Sequence, residues 1–117
     1  MATYSKQLLS GSTNGKGIKV AATATAGTVI HTAVAGTSSI DEVWLYAHNT
    51  SASSVKLTLE WGGVAAPDDH IEINIGAEGT GLILVAPGIL LQNELIVRAF
   101  ASASNVINIF GYVNRIA

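Results

Sequence analysis

The chain has no cysteine, two prolines and one methionine, and only 12% of its residues are charged. Without thiols it has no disulfide framework and no thiolate metal centre, so its stability must come from packing or association. Synthesis in a reducing cytoplasm is expected. The six basic residues, Lys6, Lys16, Lys19, Lys56, Arg98 and Arg115, form no cluster, and the net charge is −2. A nucleic-acid-binding surface needs a basic stripe, and this sequence has none. No apolar run approaches the roughly 18 residues of a membrane-spanning helix. The run that starts at Leu82 is stopped by Pro87 and Gly88. The opening MATYSKQ has neither the basic start nor the apolar stretch of a secretion signal. No segment shows a sustained helical period with caps, and no internal repeat is present.

What the chain does contain is apolar surface. Of its 117 residues, 49% are hydrophobic, enough for one domain with a single core that buries roughly 65% of the unfolded surface. Its polarity comes mostly from Ser, Thr, Asn and backbone, well below the charge of an average soluble chain, about 25%. A surface of this kind needs little desolvation before a partner covers it. That points to an oligomer or an assembly component; the alternative is a neutral, Ser/Thr-rich monomer.

Residues 1–17 read as a flexible N-terminal arm. Positions 10–17, SGSTNGKG, are small, polar and glycine-rich and cannot bury enough to order themselves. Tyr4, Leu8 and Leu9 precede them as candidate anchors, for an arm that orders only on a neighbour; a frayed terminus is the alternative. Residues 18–117 then read as one antiparallel β-sandwich domain, jelly-roll-like, with about eight strands and a turn signal every 8 to 12 residues.

The expected strands cover 18–25, 28–34, 42–50, 55–61, 71–75, 82–85, 94–101 and 105–115, with a short apolar piece at 89–91. The clearest period-two pattern sets Val55, Leu57, Leu59 and Trp61 against Lys56, Thr58 and Glu60, with the second set facing solvent. Over 42–50 both faces are substantial: Val43, Leu45 and Ala47 oppose Trp44, Tyr46 and His48. Such a strand lies between layers or against another subunit. The last two strands are expected to form a hairpin, and Gly111 to mark a bulge or a close backbone approach.

No acid–base constellation is visible, and the chain reads as a non-enzyme without cofactor or metal. No glycine-flanked serine forms a nucleophile elbow. His31 and His48 fall inside strands, as packed or interfacial residues. Asp68, Asp69, His70 and Glu72 form the richest polar cluster, but their spacing fits no metal loop, and Pro67 before them favours a solvated turn. Glu60 and Glu72 sit on polar faces of neighbouring strands, as ordinary solvated charges rather than a glycosidase pair. Trp44 and Tyr46 share a face with His48; core or subunit interface outranks a sugar-stacking platform there.

The phrases DEVWLYAHNT at 41–50, VKLTLEWGG at 55–63 and NVINIFGYVNRI at 105–116 together resemble small virion proteins of tailed bacteriophages, in particular the β-sandwich capsid decoration, or cement, proteins. The resemblance covers residues 28–116. It implies a structural protein, made in the bacterial host cytoplasm, that sits on the outer capsid surface of the virion. Its partners would be the major capsid protein and itself, as a homotrimer. On that reading Tyr4, Leu8 and Leu9 are the expected shell anchors, and Trp44, Tyr46 and His48 the expected contacts between subunits. A tail or head-fibre component and a carbohydrate-binding β-sandwich are the competing functions.

Overall fold

The computed structural model describes residues 3–117. Among the described residues the chain is all-β: nine strands form two antiparallel sheets that pack face to face. They are β1 (Tyr4–Leu8), β2 (Ile18–Lys19), β3 (Thr28–Thr32), β4 (Ile40–Asn49), β5 (Val55–Trp61), β6 (His70–Ile75), β7 (Ile83–Leu91), β8 (Ile96–Ala101) and β9 (Ile107–Ile116), with one 3-10 turn at Glu78–Thr80. One sheet runs β1-β9-β4-β7, with β2 also paired to β9; the other runs β3-β8-β5-β6. The pairs β2–β9, β3–β8, β4–β7 and β5–β6 nest one inside the next. This is the arrangement of a jelly roll, a long hairpin folded over into two sheets.

Period-two patterning builds the core. On β4, Val43, Leu45 and Ala47 point inward and are fully buried. Val113 and Ile109 of β9 pair with Val43 and Ala47 in register on the same side. The facing sheet contributes Leu57 and Leu59 of β5 and Val97, Ala99 and Ala101 of β8, all fully buried. Each of the larger groups contributes about 1.5–3 kcal/mol by leaving water. Gly111 stands opposite Leu45, and a Cβ there would collide with the Trp44 carbonyl oxygen. The close approach expected at this glycine is present.

A buried polar cluster ties the two layers together. Asp41 of β4 accepts from Arg115 Nε (2.8 Å) and Nη2 (3.0 Å) of β9. The other sheet reaches it through His31 Nε2 of β3, 2.8 Å from Asp41 Oδ2. His31 Nδ1 accepts the Ser10 N–H at 3.0 Å, so the ring proton sits on Nε2 and is donated to Asp41. Burial pushes the Asp41 carboxyl up; the Arg115 and His31 hydrogen bonds outweigh it and hold it below the ordinary carboxylate range.

Four sequence expectations need correction. The segment before residue 18 is no free arm: β1 pairs with β9 from Tyr4↔Ile116 to Leu8↔Tyr112, and Leu9 is in the core at 2% exposure. The pattern missed this because an edge strand with one sheet neighbour needs no apolar repeat of its own. Residues 20–25 are mostly loop beyond β2. The stretches 82–85 and 89–91 form one strand, β7, that carries Pro87 and Gly88 within it on the sheet edge. β8 and β9 are not a hairpin, because they belong to different sheets.

Candidate interaction face

Residues opposite one another in antiparallel strands share a face. With Val43, Val113 and Arg115 directed inward, the alternate residues of the five-stranded sheet point out. The outer rows are Tyr4, Ile116 and Ile40; then Lys6, Asn114 and Glu42; then Leu8, Tyr112 and Trp44; then Phe110 and Tyr46; then Asn108 and His48. Leu90 and Leu84 of β7 lie beside Glu42 and Tyr46. From the sequence, Tyr4 and Leu8 are expected on one contact surface and Trp44, Tyr46 and His48 on another. The fold brings all five onto the same face. Leu9 is the exception: its side chain points into the core, so it cannot anchor the chain to a neighbour.

The face is apolar at its centre and polar along one row. Tyr4 is 72% exposed, Leu8 58%, Leu90 53%, Leu84 45% and Phe110 37%. Trp44 and Tyr112 stack with their planes 12° apart and centroids 6.3 Å apart. The Lys6 ammonium stands 4.7 Å from the Tyr112 ring centroid. Trp44 lies across β7 because residue 88 is glycine: a Cβ there would sit 2.9 Å from its ring. The indole N–H donates to Glu42 Oε1 at 2.7 Å, and Asn114 Nδ2 donates to the same oxygen at 3.0 Å. The Asn114 amide, then the indole N–H, hold the Glu42 carboxyl below its usual range, so it stays charged beside the aromatic rings. His48 Nε2 is 3.3 Å from the Glu78 carbonyl oxygen at the far end of the face. A shallow depression of about 350 Å³ opens by the polar row, between Tyr4, Lys6, Glu42, Asn114 and Ile116.

Phe110, Tyr112, Leu84 and Leu90 share this face but do not stand out as contact residues in the sequence. The signal for the first two was present, since placing Ile107, Ile109 and Val113 inward sends Phe110 and Tyr112 outward. What was absent was the pairing of β4 with β9, which puts those rings beside Tyr46 and Trp44.

Three of the carboxylates weighed as catalytic or metal-binding groups, Glu60, Glu72 and Asp69, are engaged within the fold. Glu60 and Thr58, expected to be solvated, are buried on the outer side of the four-stranded sheet. The loop before β3 laps over them: Glu60 accepts the Gly27 N–H at 2.6 Å and the Thr25 hydroxyl. The His70 ring covers the same carboxylate, with Nε2 3.4 Å from Glu60 Oε2, and meets Phe100 edge-on. Glu72 forms a surface ion pair with Lys56 at 2.9 Å. Asp69 closes its own loop by accepting the Ala65 N–H, while Asp68 is exposed. Among the described residues no three of His, Asp and Glu converge as a metal site would require. Both nitrogens of His31 are engaged, by Ser10 N–H and Asp41, which leaves none to take a proton from a hydroxyl. Comparison with protein-family models, curated proteins and solved structures finds no match.

Proposed function

We propose that this chain is a structural virion protein, a decoration protein that packs onto an assembled phage head and onto copies of itself. The outer face of its five-stranded sheet would be the contact surface. The observation that carries the reading is that face: Tyr4, Leu8, Phe110, Leu84 and Leu90 stand exposed around the Trp44–Tyr112 stack. Contiguous apolar surface rimmed by polar groups marks a protein contact. Four strands about 4.8 Å apart, with the longer ones about 34 Å long, present a footprint of roughly 600 Å², close to the ~800 Å² each partner gives a standard interface. Aromatic groups at its centre are the residue types that dominate interface energetics. The low charge and the resemblance to cement proteins supply the identity of the partner. The mechanism is thermodynamic: a protein that binds the assembled shell and not its parts stabilises the shell by mass action, multiplied by symmetry.

Leu84→Asp tests this directly. Leu84 is half exposed on β7 and makes no hydrogen bond through its side chain, so the variant should fold. It is expected to lose co-sedimentation with undecorated heads of its own phage by at least about tenfold, the effect of burying an unpaired carboxylate at a contact. Undiminished co-sedimentation would refute the assignment.

One observation favours a second reading. The near-parallel rings of Trp44 and Tyr112, with Glu42 and Asn114 at their edge, resemble a sugar-stacking platform. Glycan binding that vanishes in Trp44→Ala, with head binding absent in the unsubstituted protein, would establish it instead.

A further inference from the structure

We propose that β6 is a self-pairing edge, through which two copies of this chain join their four-stranded sheets into one continuous antiparallel sheet about a two-fold axis. The inference stands on strand chemistry and does not depend on the face discussed above.

The direction of each backbone group follows from the hydrogen bonds around β5. Lys56 O accepts the Ser102 N–H at 2.9 Å, and Gly62 N–H donates to Ile96 O at 3.0 Å, so even-numbered residues here turn toward β8. Trp61 N–H donates to Asp69 O at 2.8 Å, so odd-numbered residues turn toward β6. In the register Val55↔Ile75, Leu57↔Ile73 and Leu59↔Ile71, it is the isoleucines of β6 that exchange hydrogen bonds with β5. The N–H and C=O groups of Glu72 and Asn74 therefore point off the sheet. β6 is the last strand on that side. Among the described residues nothing else in the chain bonds those groups; only the neighbouring His70 N–H is engaged, by Pro67 O at 3.2 Å.

Open edges are hazards that proteins normally blunt, and the other edges here are blunted. β7 carries Pro87 and two register shifts. β3 has a register shift and is bonded from outside by Gly11 N–H and the Ser10 hydroxyl oxygen. β1 carries Lys6. β6, HIEINI, has no proline, no lysine and no bulge.

The occupant is a second β6 because this strand complements itself in one register. With Glu72 opposite the partner's Asn74, the two exchange backbone hydrogen bonds at both symmetry-related places. Ile73 then meets the partner's Ile73 and Ile71 meets the partner's Ile75, on the side that faces the core. Ile71 and Ile73 are only partly buried in the single chain, and this pairing covers their open flank. On the outer side each Glu72 lies beside a neutral amide, while Lys56 already balances its charge. The register shifted to put Glu72 opposite the partner's Glu72 sets like charges directly against each other, which is destabilising. The short strand makes this a weak, transient contact, which a disulfide formed across it would trap.

The chain has no cysteine, so single thiols report the contact. Ile73→Cys should form a covalent dimer on mild oxidation, because residue 73 meets its own symmetry mate at a close, non-hydrogen-bonded position. Adding Asn74→Pro, which removes an outward N–H without touching the β5 ladder, should abolish that dimer while far-UV circular dichroism stays unchanged. Should Ile73→Cys fail to fold, the exposed pair Glu72→Cys and Asn74→Cys replaces it. Mixed and treated with a short thiol cross-linker, they should give the mixed dimer in excess over either homodimer. Absence of a dimer from a folded Ile73→Cys, its persistence with Asn74→Pro, or a Glu72→Cys homodimer exceeding the mixed species would overturn the proposal. None of these outcomes bears on Leu84→Asp, so the two proposals fail separately.

Discussion

Asp41 shows how much depends on one side chain. Its carboxylate is held by Arg115, His31 and the Val34 N–H, and so joins β4, β9 and β3 across the two sheets. Removing one member of a buried ion pair costs about 3–5 kcal/mol, and Asp41→Asn should lower the urea unfolding free energy at neutral pH by that order. The sign of the pH effect follows from the direction of its shift. A carboxyl whose folded pKa is depressed contributes stability in full above its unfolded value, about 4, and loses it as the pH falls through the lower folded value. The unsubstituted protein should therefore lose stability below pH ~4, and Asp41→Asn should show a shallower loss over the same range. Equal slopes in urea titrations at several acid pH values would contradict this. In the sequence Asp41 is one acidic residue at a strand start, with nothing to mark it out. A buried ion is legible only when its partners, 10 and 74 residues away, are known. A second residue-scale effect lies in the β7–β8 turn, where Asn93 and Glu94 both adopt left-handed φ, 60° and 58°, closed by Leu95 N–H to Gln92 O at 3.2 Å. Such turns favour Asn-Gly, and Glu94→Gly should stabilise the fold by about 1 kcal/mol, read as a rise in melting temperature.

At the scale of elements, strands whose side chains alternate in burial were the legible ones. Val55–Trp61 is found with the boundaries its pattern gave, because both faces of that strand carry a clear preference. Glu60 of the polar face nevertheless lies under the loop before β3, an outcome of chain crossing that local pattern does not contain. β1 was illegible for the opposite reason. YSKQL has no alternation to read, and its place depends on an open edge of β9 that lies more than 100 residues away. The consequence is that the N-terminal segment belongs to the fold. Leu9 is buried, and Ser10 supplies the donor to His31. Deleting residues 1–12 should therefore lower stability by about 2–5 kcal/mol from the loss of Leu9 alone, with a matching fall in the thermal midpoint. An unchanged midpoint would mean that β1 adds nothing to the domain.

At the scale of the whole molecule, the jelly roll leaves the two sheets unequal. The four-stranded sheet has Glu60, on its outer side, roofed by a loop and by His70, while Lys56 and Glu72 pair at the surface. The five-stranded sheet turns its aromatic residues outward, with Tyr4 and Phe110 exposed and the Trp44–Tyr112 stack half-buried between them. The all-β class and the two-layer architecture followed from turn spacing and period-two patterning. The division of labour between the faces did not, because it depends on which strands are neighbours. If the aromatic face is the protein contact of an assembly, its rings must change environment when the assembly forms. Hydroxyl-radical footprinting of the isolated chain and of the same chain on phage heads measures that change. Strong protection of Tyr4, Trp44, Tyr46, Phe110 and Tyr112 is expected on the particle. Equal labelling of those residues in the free and particle-bound chain would contradict it.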